Sequence, residues 1–151
     1  MAGVNIRAAT LADLPLMVEL LRQLTKVERA FRFNAEFQRA GLEHLIESNT
    51  ALVLAAEMGG LVVGMATIQE VISTVEGGPI GIVEDVIVHR SFRKKGVGTA
   101  LLDHLKAIAI ARDYGRLQLL ADENNTPGES FYAAQGWEPT SLKQWRWLNQ
   151  T

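Results

Sequence analysis

Val86-Ile87-Val88-His89-Arg90-Ser91-Phe92-Arg93-Lys94-Lys95-Gly96-Val97-Gly98-Thr99-Ala100-Leu101-Leu102 decides the reading of the chain. Three β-branched apolar residues end a strand, a basic turn with two glycines follows, and a helix opens. Val97, Leu101, Leu102, Leu105, Ile108 and Ala109 repeat at helical spacing, which predicts a helix from about Gly96 to Asp113. Arg116 to Ala121 reads as the next strand, so the unit is a βαβ crossover. The turn suits a pyrophosphate. A helix start has free N–H groups and partial positive charge. Gly96 and Gly98 let an anion approach the backbone. Arg90, Arg93, Lys94 and Lys95 add four positive charges. A Walker A loop would need Lys then Ser or Thr after its second glycine, and a dinucleotide fingerprint would need a third glycine near Leu101; both are absent. A solvated basic turn with a glycine-softened helix start is the plainer reading of the same letters.

Working outward, Val4 to Arg7 alternates and reads as a first strand. Thr10 and Asp13 have the spacing of a capping box. Leu14, Met17, Val18, Leu21 and Leu24 place a helix from about Leu11 to Glu28. A loop over Arg29 to Phe33 leads to a second helix capped by Asn34, with Phe37, Leu42, Leu45 and Ile46 as its apolar face. Ala51 to Ala56 and Leu61 to Ile68 flank Gly59-Gly60, a hairpin signal. Gly77-Gly78-Pro79 marks the turn before Ile80 to Val88. Asn125 to Gln135 reads as a short helix, and Trp145-Arg146-Trp147 as a last strand. The order β-α-α-β-β-β-α-β-α-β predicts a single α/β domain over 1–151, a mixed and mostly antiparallel sheet flanked by helices.

The chain has 151 residues, no cysteine and a net charge of -2. That length buries a sufficient core without disulfides or a structural metal. No cysteine means no disulfide framework, thiolate zinc site or cysteine acyl-enzyme. The three histidines have no metal spacing, so no metal is expected. Nearly balanced charge argues against a nucleic-acid partner. No apolar run reaches a membrane span, and Met1 to Arg7 lacks the features of a signal peptide, so a cytoplasmic domain with no membrane partner is expected. Residues 90–95 carry +4, which leaves -6 on the rest of the chain.

Arg93-Lys94-Lys95-Gly96-Val97-Gly98 is similar to the Arg/Gln-x-x-Gly-x-Gly/Ala motif of the GNAT (GCN5-related N-acetyltransferase) superfamily, and the element order follows that family over nearly the whole chain. The resemblance implies a GNAT-like fold and an N-acetyltransferase that takes acetyl-CoA as co-substrate. The amides of Arg93, Lys94, Lys95, Gly96, Val97, Gly98 and Thr99 would bind the pyrophosphate. The strand at Val86, Ile87 and Val88, which in the family carries a bulge, would pair with the pantetheine arm. Asn125 to Trp137 resembles the family's Asn-x-x-Ala-x-x-Phe-Tyr-x-x-x-Gly-Phe segment, with Gly128 for Ala and Trp137 for Phe. By that resemblance Asn125 contacts the pantetheine arm and Tyr132 protonates the departing thiolate.

Acetyl transfer to an amine needs a base, because an alkyl ammonium with a pKa near ~10 is about 4 kcal/mol from its free form at neutral pH. The oxyanion needs a backbone donor, such as the Val88 amide. Glu84-Asp85 interrupts an apolar strand, where two acids are costly unless they face a groove or water. In a regular strand they point to opposite faces, so one at most faces a given pocket. A hydrogen-bonded structural pair is the alternative. By similarity to the diamine and glucosamine-phosphate acetyltransferase branches, Glu84 is the first choice for the acceptor amine and Asp85 the second. Leu24 to Glu28 and the Trp145-Arg146-Trp147 end resemble the diamine branch, and that resemblance implies an acidic acceptor patch of Glu28, Glu84 and Asp85 for a cationic amine. The basic loop residues equally allow an acidic small amine or a peptide N-terminus. The expected partner is a small-molecule or peptide amine, with a homodimer as a family-level expectation. The competing function is a non-catalytic acyl-CoA-binding sensor or interaction module, which would need the phosphate turn but not Glu84 and Tyr132.

Overall fold

The computed structural model describes residues 3–149. The strands β1 (Asn5–Ala8), β2 (Ala51–Met58), β3 (Leu61–Ser73), β4 (Gly78–Val88) and β5 (Leu117–Leu119) form one sheet in that order. The first four pair antiparallel, and β4 pairs with β5 in parallel. Helices α1 (Leu14–Val27) and α2 (Ala35–Glu47) precede β2. The crossover helix α3 (Val97–Ala111) joins β4 to β5, and α4 (Thr126–Ala134) follows. No described helix is long and apolar enough to cross a membrane.

Both faces of the sheet are covered. Val53 and Ala55 of β2 pack with Met17, Leu20 and Leu42 on the α1/α2 side. Their neighbours Leu54 and Ala56 pack with Leu101, Leu102 and Leu105 of α3 on the other. Two covered faces explain why Val62 to Ile68 is buried without interruption and reads as a continuous apolar run. Gly64 lies where α3 crosses β3. A Cβ there would stand 2.9 Å from Val97 Cγ1 and 3.3 Å from the Ile87 carbonyl oxygen, so the missing side chain sets how closely the start of α3 approaches the sheet.

The start of α1 follows the sequence signal. The Thr10 amide donates to Asp13 Oδ2 at 2.8 Å, a 3-10 turn spans Leu11–Asp13, and Pro15 sits in the first turn of α1. Asp13 also takes two bonds from the Arg7 guanidinium at 2.8 Å each, which hold its carboxyl below the usual range. Asn34 caps α2 by accepting from the Glu36 and Phe37 amides.

Two expectations are corrected. Phe37 is exposed and not part of the inward face of α2, which is Leu42 with Leu45 and Ile46. Five residues rotate a helix about 140° past full turns, so Phe37 and Leu42 cannot share a face. Trp145-Arg146-Trp147 forms no strand. The chain from 138 to 149 is exposed and without a ladder, and Trp145 and Trp147 are 92% and 85% exposed. β5 is only three residues long and offers too little edge for a sixth strand.

Candidate active site

β3 and β4 pair from Ser73–Gly78 to Thr67–Glu84, and again at Met65–Ile87 and Gly64–Val88. Between these stretches two residues, Asp85 and Val86, stand opposite Ala66. This is the bulge that the family resemblance implies. Asp85 takes φ 56°, the left-handed region that Asp tolerates better than most residues. The bulge breaks the strand's alternation, so Glu84 and Asp85 line the same cavity, contrary to the expectation of one acid per face. It also bends β4 away from β5, whose ladder ends at Val83–Leu119. A cavity of 620 Å³ fills this wedge. Its walls are the end of α1 with Glu28, the following loop with Phe31 and Arg32, the two acids of β4, Leu119 and Leu120, Tyr132 of α4, and Gln144, Arg146 and Leu148. The last three alternate with the solvent-facing Trp145 and Trp147, so the C-terminal segment is extended along the cavity mouth without being a strand.

The acids are not equivalent. Asp85 is pushed up to about 6, first by burial and then by the charge of Glu84, while Glu84 is exposed. Thr67, only 1% exposed, has its hydroxyl oxygen 3.1 Å from both the Glu84 carbonyl and Asp85 Oδ2. One hydroxyl proton serves one acceptor at a time. When Asp85 is protonated it can donate to Thr67, which in turn donates to the carbonyl, and every group is satisfied. When Asp85 is ionised it accepts from Thr67 instead, which lowers its proton affinity, but by less than burial and Glu84 raise it. Nothing in the strand pattern singles Thr67 out, because it reads as one more β-former.

Tyr132 is pushed up to about 12 by burial and then by the Glu28 charge, so it holds its proton at neutral pH. Its hydroxyl makes no hydrogen bond among the described residues, and its ring lies 5.6 Å from Phe131 and 6.1 Å from Trp137, centre to centre. Glu28 is buried. Its Oε2 accepts from the Asp122 amide at 2.8 Å and its Oε1 from Asn125 Nδ2 at 3.1 Å. Asn125 Oδ1 accepts from the Gly128 amide and caps α4. Glu28 and Asn125 thus hold the wall of the cavity together. The departure at Gly128 has a structural reason: a Cβ there would collide with the folded-back Asn125 amide.

At the other end of β4, His89 donates its amide to the Val63 carbonyl, and Ile87 pairs with Met65. The alternation of an antiparallel ladder then points the backbone of Val88 at the open edge. Arg93 Nε donates to the Val88 carbonyl at 3.1 Å, and among the described residues no acceptor takes the Val88 amide. Val86 lines the cavity, whereas Ile87 turns its side chain into the core. Beyond a 3-10 turn at Arg90–Phe92, Lys94 and Gly96 both adopt positive φ, 62° and 83°. Among the described residues, no acceptor takes the amides of residues 94–99. Such a run of free N–H groups at a helix start is an anion-binding concavity, and its residues fit a pyrophosphate. Gly96 supplies the left-handed turn. Gly98 also has a packing role: a Cβ there would meet Phe131 Cζ at 3.0 Å, so it lets α4 lie against α3. Gln23, not singled out in the sequence, accepts from the Arg90 amide at 3.0 Å and ties the turn to α1.

Comparison with known proteins follows the same lines. The model of the acetyltransferase (GNAT) family matches residues 17–137. The uncharacterised N-acetyltransferase YhfO of Bacillus subtilis (strain 168) is 27% identical over 135 residues, which cover 89% of this chain and 90% of that one. The crystal structure of a ribosomal-protein-alanine N-acetyltransferase from Brucella melitensis biovar Abortus 2308 superposes with a TM-score of 0.76 at 26% identity, covering 97% of this chain and 99% of its own. An aminoglycoside N-acetyltransferase solved in complex with CoA superposes with a TM-score of 0.81 at 19% identity over 100% and 97% of the two chains.

Proposed function

The chain belongs to the acetyltransferase (GNAT) family, and from that footing we propose that it moves the acetyl group of acetyl-CoA to a primary amine of a small molecule or peptide, by direct attack in a ternary complex. The observation that carries this reading is the bulge at Asp85, which gathers both β4 acids and Tyr132 around one cavity at the wedge between β4 and β5.

In this reading the amides of residues 94–99 hold the pyrophosphate, and the pantetheine arm runs along the open edge at Val86 and Val88. The free Val88 amide donates to the carbonyl oxygen as it gains charge. The base is Asp85 and not Glu84, the first choice from sequence, because the raised proton affinity of Asp85 is the better match to a base near neutral pH. Glu84, at the cavity surface, holds the incoming ammonium. Ionised Asp85 first takes one proton from that ammonium and passes it to water. The freed amine nitrogen then attacks the thioester carbonyl, its next proton passes to Asp85, and the carbon–sulfur bond breaks as Tyr132 gives its proton to the sulfur. Water then returns the proton from Asp85 to Tyr132. Glu28 and Asn125 keep the wall in place. A cytoplasmic homodimer belongs to the same reading, and sedimentation equilibrium tests the dimer.

The experiment is thiol release from acetyl-CoA by the purified chain across a panel of primary amines, beside calorimetric binding of CoA. Turnover with a saturable amine supports the reading. Binding of CoA with no turnover on any amine would leave a coenzyme-binding module instead, and absence of CoA binding would remove both.

A further inference from the structure

The cavity that holds the acids also has a cationic side. Arg32 reaches it from the α1–α2 loop and Arg146 from the C-terminal segment. Neither guanidinium has a nitrogen within 4.0 Å of a carboxylate oxygen among the described residues, although Glu28, Glu84 and Asp85 line the same space. Arginines that could collapse onto the acids would have done so, because the charge-assisted fork is among the stronger polar contacts available to a side chain. The two signs therefore line one 620 Å³ cavity without pairing, together with the apolar Leu21, Phe31 and Leu148.

We infer that the acceptor is an amine that also carries an oxyanion, a carboxylate or a phosphate monoester, with the ammonium at the Glu84–Asp85 end and the anion on Arg32 and Arg146. The inference rests on the proposed transfer reaction and names its substrate class. A diamine or polyamine of the kind that the Glu28 patch favours would set its second ammonium against two unpaired arginines. A neutral amine would gain nothing from them. Gln144 and Leu148 on either side of Arg146 also line the cavity, while the intervening tryptophans face solvent.

The test is kcat/KM for thiol release at saturating acetyl-CoA with primary amines of matched length: butylamine, 1,4-diaminobutane, 4-aminobutanoate and 3-aminopropyl phosphate. The anion-bearing amines should exceed butylamine about tenfold or more, carried by KM, and 1,4-diaminobutane should be the poorest. Arg146→Gln and Arg32→Gln should each shrink the anionic-to-neutral ratio several-fold, with Arg146→Lys restoring part of it. The better of the carboxylate and phosphate arms identifies the oxyanion. Equal or better turnover of butylamine or 1,4-diaminobutane overturns the inference and leaves acetyl transfer standing. So does a loss in the Gln variants that is the same for all amines. Failure of every amine to release thiol removes the transfer reading itself.

Discussion

At the scale of single residues, Asp85 carries opposed demands. Its carboxyl sits at about 6 against an ordinary 3.8, so its ionisation in the folded protein costs up to about 3 kcal/mol. Asp85→Asn keeps the left-handed backbone, which Asn also tolerates, and still accepts from Thr67. The variant should be more stable than the parent at pH 8 by up to that amount, with the gap closing towards pH 4, and its turnover should fall about 10²-fold or more. Denaturant titrations at the two pH values and a thiol-release assay check both halves; a variant less stable than the parent at pH 8 would contradict the burial argument. Tyr132→Phe removes a cavity hydroxyl that holds its proton throughout the neutral range. It should lower kcat about 10²-fold while CoA binding stays within about twofold. An unchanged kcat would remove Tyr132 as the acid.

Among the elements, the start of α3 is placed by a contact that its own sequence does not contain. Gly64 on β3 lets Val97 come close, which brings the phosphate turn against the open edge of β4. Gly64→Ala should cost about 1–3 kcal/mol, read as a lower Tm by roughly 3–10 °C, and should weaken CoA binding measured by calorimetry. A variant with parental Tm and affinity would show that the start of α3 is free to move. The strand-turn-helix from Val86 to Leu102, the two glycine hairpin turns, the Asn34 cap and the Thr10–Asp13 box were all legible, since each is a local pattern within a few residues. The bulge was not, because it is a mismatch between two strands that only their register reveals. Glu28 was legible as an acceptor-patch acid, but its bracing of the cavity wall was hidden for the same reason: its hydrogen-bond partners lie at Asp122 and Asn125, far along the chain. The last strand was over-read, since apolar alternation at 145–147 says nothing of whether an edge is there to receive it.

For the molecule as a whole, two aspartates pull stability in opposite directions with pH. Asp13 is held low by Arg7, so its contribution is present above the unfolded value and lost as pH falls through its depressed folded value. Asp85 is held high, so its contribution is complete below the unfolded value and lost as pH rises through about 6. The summed contribution of these two aspartates is greatest near pH 4, close to the value of an unfolded aspartate. Unfolding free energies from pH 3 to pH 8 should fall on both sides of that maximum, and Asp85→Asn should flatten the decline on the alkaline side. A parent chain most stable at pH 8 would refute this balance. The order of folding follows from the bonds of Glu28, which span 94 and 97 residues of a 151-residue chain. Closing so long a loop is entropically late, after the β2–β3–β4 meander and the crossover have formed from nearer contacts. The phosphate turn would then exist in partly folded chains before the amine cavity does, and coenzyme could act as a template on which the catalytic wall is completed.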